Sequence, residues 1–243
     1  MSSGAAKREK RVQTHASVIA KEIRQAIISG QLPPGRKLKV RQLAERFGVG
    51  LSPIRESLNR LSREWLVHHN ELRGFSVSNV SEQDLDDLMK ARCWLNEKAL
   101  RESIAHGDST WEENVVLAYH RLSRIPRHDP PDGPEVNPDW EVAHRNFHRS
   151  LINGCGSQRV IDICDKLFDV AEIYRNIARS APTQADREYI EEHQPIMEAA
   201  VARNADKAVE LLIAHFMLTA EQCRELLRHL APEGKKRRTA SAQ

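Results

Sequence analysis

Apolar residues recur at helical spacing along most of this chain, and the exceptions fall in its first third. From about Thr14 to Ser29, Val18, Ile19, Ile23 and Ile27 mark one face of an amphipathic helix that ends at Gly30. Pro33-Pro34-Gly35 then turns the chain. Residues 40–58 read as two short helices joined by Gly48-Val49-Gly50. Leu43, Phe47, Val49, Ile54, Leu58 and Leu61 can face one small core. The second helix is expected to open on Ser52-Pro53, Ser52 accepting an orphan amide and Pro53 lacking that donor anyway. Two short apolar runs, Leu66–His68 and Phe75–Val77, flank NELRG and predict a β-hairpin with Arg73-Gly74 near its tip. Three helices and a hairpin make a winged helix-turn-helix over residues 13–80. Arg55, near the front of the second helix of the motif, sits where a major-groove reading helix presents side chains to bases.

Past a boundary near Ser78–Ser81 every signal is helical. Ser81 with Asp84 predicts a start that runs to about His106-Gly107, and Thr110 with Glu113 the next. The loop IPRHDPPDGPEVNP follows, and Asn137-Pro138 caps a helix to about Asn153. Ser157 opens one to about Arg179, Thr183 one to Asn204, and Asp206 caps the last, to about Leu230. The fold class is therefore mainly α: an N-terminal winged helix-turn-helix plus a C-terminal antiparallel six-helix bundle over 81–230. Residues 1–12 and 231–243 are polar and aperiodic and are expected to be flexible.

Charge sharpens this division. Residues 1–80 hold 15 Lys/Arg against 6 Asp/Glu, whereas 81–230 hold 18 against 27. A basic front third suits a polyphosphate partner, and the acidic remainder would be repelled by one. No run approaches the roughly 20 apolar residues of a membrane span, and the charged N-terminus lacks a signal peptide's apolar segment. Cys93, Cys155, Cys164 and Cys223 form no CxxC pair; they read as buried thiols of a cytoplasmic protein.

The bundle carries a second kind of chemistry. His144 and His148, four apart, share one helix face. His193 lies 11 residues before Asn204 and His215 lies 10 after Ala205, so a helical hairpin turning there sets both at nearly one height. Four imidazoles converging inside the bundle would make a transition-metal site. Catalytic signatures are missing. HRNFH has Arg145 where a zinc protease needs its Glu, and only Glu141-x-x-His144 fits the carboxylate-bridged di-iron pattern. A metal-dependent enzyme of small acids with an accessory DNA-binding module is therefore the weaker alternative. A DNA-architectural protein with a purely structural bundle is a third.

The segments PGRKL, LAERFGVGLSPIRESLNRL, RGFSV, LMKARCWLNEKAL, HRNFHRSLINGCGS and EEHQPIMEAAVARNADKAVELLIAHF together resemble the GntR-type bacterial transcription regulators with an FCD-type helical effector domain. The combination GVGLSPIRESL with HxxFHxxLxxGCGS is similar to the carbon-starvation-induced regulator branch. The resemblance implies a homodimer that binds an inverted-repeat operator, more often as a repressor, and responds to a small carboxylate beside a divalent metal. Carried onto this sequence, the metal ligands are His148, His193 and His215, with His144 where the family commonly has Asp. That neutral set suits zinc or nickel. Pro195, two residues past His193, is a further departure and removes a helix hydrogen bond. DNA contacts fall on Arg41, Arg55 and Arg73-Gly74, with Lys39, Ser52 and Asn59 expected at phosphates; Leu51 stands where many relatives have Arg. Arg92 and Arg145 are the candidate effector cations, because a buried cation in a metal-lined cavity suits a second carboxylate; Arg175 is a weaker candidate.

Overall fold

The computed structural model describes residues 15–129, 136–179 and 189–230, and the chain divides into two compact units between Asn79 and Val80. The expected flexible ends, the Thr14 start, residues 130–135 of the proline-rich loop and the Thr183 cap lie outside the described residues.

The first unit comprises α1 (His15–Ile28), β1 (Lys37–Leu38), α2 (Val40–Phe47), α3 (Leu51–Arg63), β2 (Val67–Asn70) and β3 (Gly74–Val77). Spacings of four and three put Ile54, Leu58 and Leu61 on one face of α3, where all three are fully buried. Each contributes roughly 1.5–3 kcal/mol by leaving water. Ile23 and Ile27 of α1 are buried in the same unit, and α1 packs on α3. Ser57 shares the buried face, its hydroxyl 2.8 Å from the Ala16 carbonyl and 2.7 Å from that of Pro53, so the polar group is not stranded. Gly48 ends α2 at φ +63°, its amide reaching back to Ala44 and Glu45, which is the conformation the tight turn requires.

The start of α3 differs from expectation. Gly50 is its N-cap and Leu51 its first residue, so Ser52 lies inside the first turn and makes no capping bond. Pro53 falls at the third helical position, where its missing amide costs no bond because the first four amides have no intrahelical partner. Among the described residues the sheet runs β1-β3-β2, all antiparallel, with Lys37 opposite Ser76 and Asn70 opposite Gly74. The two-residue β1 is too short to leave an alternation in the sequence.

The second unit comprises α4 (Glu82–His106), α5 (Ser109–Arg124), α6 (Pro138–Ile152), α7 (Gln158–Arg179), α8 (Tyr189–Val201) and α9 (Ala205–Leu230). Ser81 caps α4 and Asn137 caps α6, as their sequences predict. Two starts move. Asp108, not Thr110, caps α5 by accepting from the Trp111 amide at 2.8 Å. Asn204, not Asp206, accepts from the Lys207 amide at 3.1 Å, leaving Asp206 in the first turn of α9. In both cases the side chain just outside the helix is the one that can reach an orphan amide. Cys164 and Cys223 are buried, whereas Cys93 and Cys155 are only partly so.

A local clamp fixes the α8–α9 turn against α4. The Arg203 guanidinium donates to the carbonyls of Ile104 (2.8 Å) and Gly107 (2.9 Å) and lies 4.9 Å from the Trp111 ring. A Cβ at Gly107 would stand 2.5 Å from the Ser103 carbonyl and 2.6 Å from Trp111. Gly107→Ala is therefore expected to destabilise the helical unit by about 1–3 kcal/mol through overpacking. Thermal denaturation followed by circular dichroism checks this, and an unaltered transition contradicts it.

Candidate functional site

Helical periodicity delivers four imidazoles to one point of the second unit. His144 and His148 project from α6, His193 from α8 and His215 from α9, and all four are buried. One ligand-capable atom from each lies within 4.8 Å of all the others. The Nε2 atoms of His144 and His148 are 3.0 Å apart, and the His193 and His215 ring centroids are 4.6 Å apart. An ion at the usual zinc–imidazole distance of about 2.0–2.1 Å holds neighbouring ligand nitrogens roughly 3 Å apart; the His144–His148 pair already has that spacing, and the other two rings are close enough to complete one site by small side-chain adjustment.

Aromatic walls surround the rings. Trp140 stacks on His144 at 4.6 Å, Phe147 meets His193 at 5.3 Å, and Phe216 meets His148 at 5.6 Å. Leu212 is buried beside them, but Leu218 is half exposed and takes no part. Burial first, and then the neighbouring imidazoles, hold His144 and His148 well below the ordinary histidine value. Both rings are therefore neutral at physiological pH, which is the form that ligates a metal. As ligands, four imidazoles are borderline donors that suit zinc, nickel or similar ions rather than calcium or magnesium. His215 Nδ1–H donates to Glu192 Oε2 at 2.7 Å. Pro195 lies inside α8, exposed, two residues past His193.

A narrow cleft beside the histidines is lined by Arg92, Asn96, Arg145, His148, Cys164 and Phe168, with room for about one water molecule as it stands. Three guanidinium groups approach the Phe168 ring: Arg145 at 4.4 Å, Arg175 at 4.5 Å and Arg92 at 5.5 Å. Their charges are balanced differently. Arg145 pairs with Asp169 and Arg175 with Glu172. Arg92 is buried and has no carboxylate at ion-pair distance among the described residues; Glu97, the neighbour that might have neutralised it, pairs with Arg101 at 3.2 Å. The Phe216 face lies 3.8 Å from its guanidinium carbon. Burial, with Arg175 adding repulsion, pulls Arg92 down to about 9, so it stays charged at neutral pH.

The first unit presents a polar face opposite its core. Ser52, Arg55 and Asn59 share the exposed side of α3, and Lys39 and Arg41 are exposed at the start of α2. At the hairpin tip the Asn70 side chain accepts from the amides of Leu72 and Arg73, each at 3.0 Å, which sets the turn that carries Arg73 and Gly74 into solvent. Spacing and periodicity do not single out Asn70, Glu192 or Phe168. A carboxylate beside a candidate ligand, in Glu192-His193, was the one available signal.

Residues 15–77 match the bacterial regulatory proteins of the gntR family, and residues 87–218 match the FCD domain. The chain belongs to the GntR family, FCD type. It is a DNA-binding transcriptional regulator, not an enzyme. The regulator is 36% identical over 196 residues to the HTH-type transcriptional regulator BphR of Paraburkholderia xenovorans, covering 79% of this chain and 78% of that one. It is 32% identical to the HTH-type transcriptional repressor GlaR of Escherichia coli, covering 79% and 87%. The E. coli McbR/YncC structure shares the fold, with a TM-score of 0.69 at 18% identity, covering 90% of this chain and 99% of that one.

Neutral buried histidines make stability depend on pH in a definite direction. Once unfolded, His144 and His148 take up protons near their ordinary pKa of about 6.5; folded, they do so only at lower pH. Their contribution is thus complete above that value and is lost as pH falls below it. For metal-stripped regulator, the melting temperature is expected to fall more steeply from about pH 7.5 to 5.5 than that of His148→Leu. Parallel slopes in thermal melts contradict this.

Proposed function

We propose that the regulator represses transcription as a homodimer on an inverted-repeat operator, and that a small carboxylate controls this binding from a divalent metal centre in the helical unit. The observation that carries the proposal is the convergence of four buried imidazoles beside a buried guanidinium with no carboxylate partner among the described residues. His144, His148, His193 and His215 would hold the ion, zinc or nickel by the donor set. An ion held there would supply Lewis acidity toward a carboxylate oxygen. Arg92 supports recognition of anionic groups in the cleft. Arg145 lines the same cleft but is held by Asp169, so it serves the effector only if that pair yields.

The narrowness of the cleft bears on the response. A ligand larger than a water molecule must displace lining side chains, and binding energy that differs between the two arrangements is what shifts a conformational equilibrium. The repressor sense follows the name of the E. coli relative GlaR. No described helix is long and apolar enough to cross a membrane, consistent with a cytoplasmic site of action.

On DNA, Arg55 is the residue assigned to base reading, through a bidentate contact to guanine O6 and N7. Lys39, Arg41, Ser52 and Asn59 are assigned to phosphates, and Arg73-Gly74 to the wing contact. Arg55→Ala is expected to weaken specific operator binding by about 1–3 kcal/mol without altering the fold. Footprinting checks this, and unchanged affinity contradicts it. The effector reading is tested by titrating small mono- and dicarboxylates onto the regulator–operator complex, with and without prior chelation. An acid that shifts operator affinity only in the metal-loaded protein is the expected result. Operator affinity indifferent to every acid would leave the bundle without a sensing role.

A further inference from the structure

The four imidazoles are not equivalent in what their second nitrogens touch. Nδ1 of His144 and of His148 has no hydrogen-bond partner among the described residues. Nδ1 of His215 donates to Glu192 at 2.7 Å. We propose that Glu192 is a positioning residue of the metal centre, fixing His215 with Nε2 toward the ion and strengthening that nitrogen as a donor. The inference rests on the metal reading above.

Helix geometry explains how one segment supplies both groups. Consecutive residues on α8 point about 100° apart. His193 therefore faces directly into the core, fully buried, while Glu192 leaves the helix sideways and spans to α9. Its side chain keeps 23% of its exposure, so the carboxylate retains part of its hydration while touching a ring that is 5% exposed. A carboxylate accepting from Nδ1 selects the tautomer with its lone pair on Nε2 and locks the ring plane. It also draws the shared proton toward itself, which raises the electron density at Nε2. The four imidazoles bring no charge of their own to a divalent ion. A carboxylate one ring away supplies negative charge close to the centre without occupying a coordination position, leaving room for an effector oxygen.

A plain ion pair at the edge of the hairpin is the competing role, and it makes different demands. It would alter the stability of the metal-free protein and leave metal affinity alone. Glu192→Gln keeps the size and an acceptor oxygen but removes the charge; Glu192→Ala removes both. Chelator-competition titrations with zinc, run on the full chain, measure the dissociation constant. Melting of the metal-stripped proteins reports any structural effect. Glu192→Gln is expected to bind zinc about 10–100-fold more weakly than the natural chain, with Glu192→Ala weaker again; metal-free melting is unchanged in Glu192→Gln, which keeps an acceptor, and falls in Glu192→Ala, which strands the buried Nδ1–H. An affinity for Glu192→Gln within about twofold of the natural chain, while His148→Ala abolishes binding, overturns this inference and spares the metal centre. Failure of the natural chain itself to bind zinc or nickel removes the centre, and this role of Glu192 with it.

Discussion

Each buried imidazole brings two ring nitrogens that lose water on folding, and an apolar helical core offers them few replacements. That constraint governs the second unit. Trp140, Phe147, Phe168 and Phe216 supply walls but no hydrogen-bond acceptors, and the close Nε2 pair of His144 and His148 can share only one proton between two nitrogens. A core built for stability alone would replace such a group with leucine and phenylalanine. Four imidazoles gathered within 4.8 Å make chemical sense as ligands of one ion, whose positive charge meets all four lone pairs at once.

The same reasoning separates the arginines around Phe168. Arg145 and Arg175 have carboxylates against them, so their charges are balanced within the fold. Arg92 is not balanced in this way. Its guanidinium rests on two aromatic faces, an arrangement that tolerates the charge without quenching it. A cation in this condition, beside a centre made of neutral ligands, leaves a surplus of positive potential in the cleft, and an anion is what relieves it. In the first unit the basic surplus is instead carried outward, on the exposed side of α3 and on a hairpin tip tied by Asn70. Under the proposed function, the two units keep their positive charge for different anions: phosphates outside, a small acid inside.

Much of this was legible in the sequence because helical spacing is rigid. A spacing of four from His144 to His148 fixes a shared face, and the near-equal offsets of His193 and His215 from the Asn204–Ala205 turn fix a shared height. The structure accordingly brings all four rings together. What depended on lateral packing was not legible. Nothing in the sequence said that Phe168 would gather three guanidiniums, or that Glu192 would cross to His215, because the rotation of one helix against another is set by the whole core. The capping side chain lies two residues before the expected one where two candidates stand close together, as at Asp108 and Thr110 or Asn204 and Asp206. Ser52-Pro53 misled for a related reason: proline is tolerated anywhere in the first turn, so it marks the start of α3 without fixing its first residue.

X-ray absorption at the metal edge of the purified regulator tests the central claim most directly. About one zinc or nickel per chain is expected, with a coordination shell dominated by imidazole nitrogen near 2.0–2.1 Å for zinc. Metal absent after gentle purification and metal supplementation, or a shell built mainly of sulfur, would contradict it.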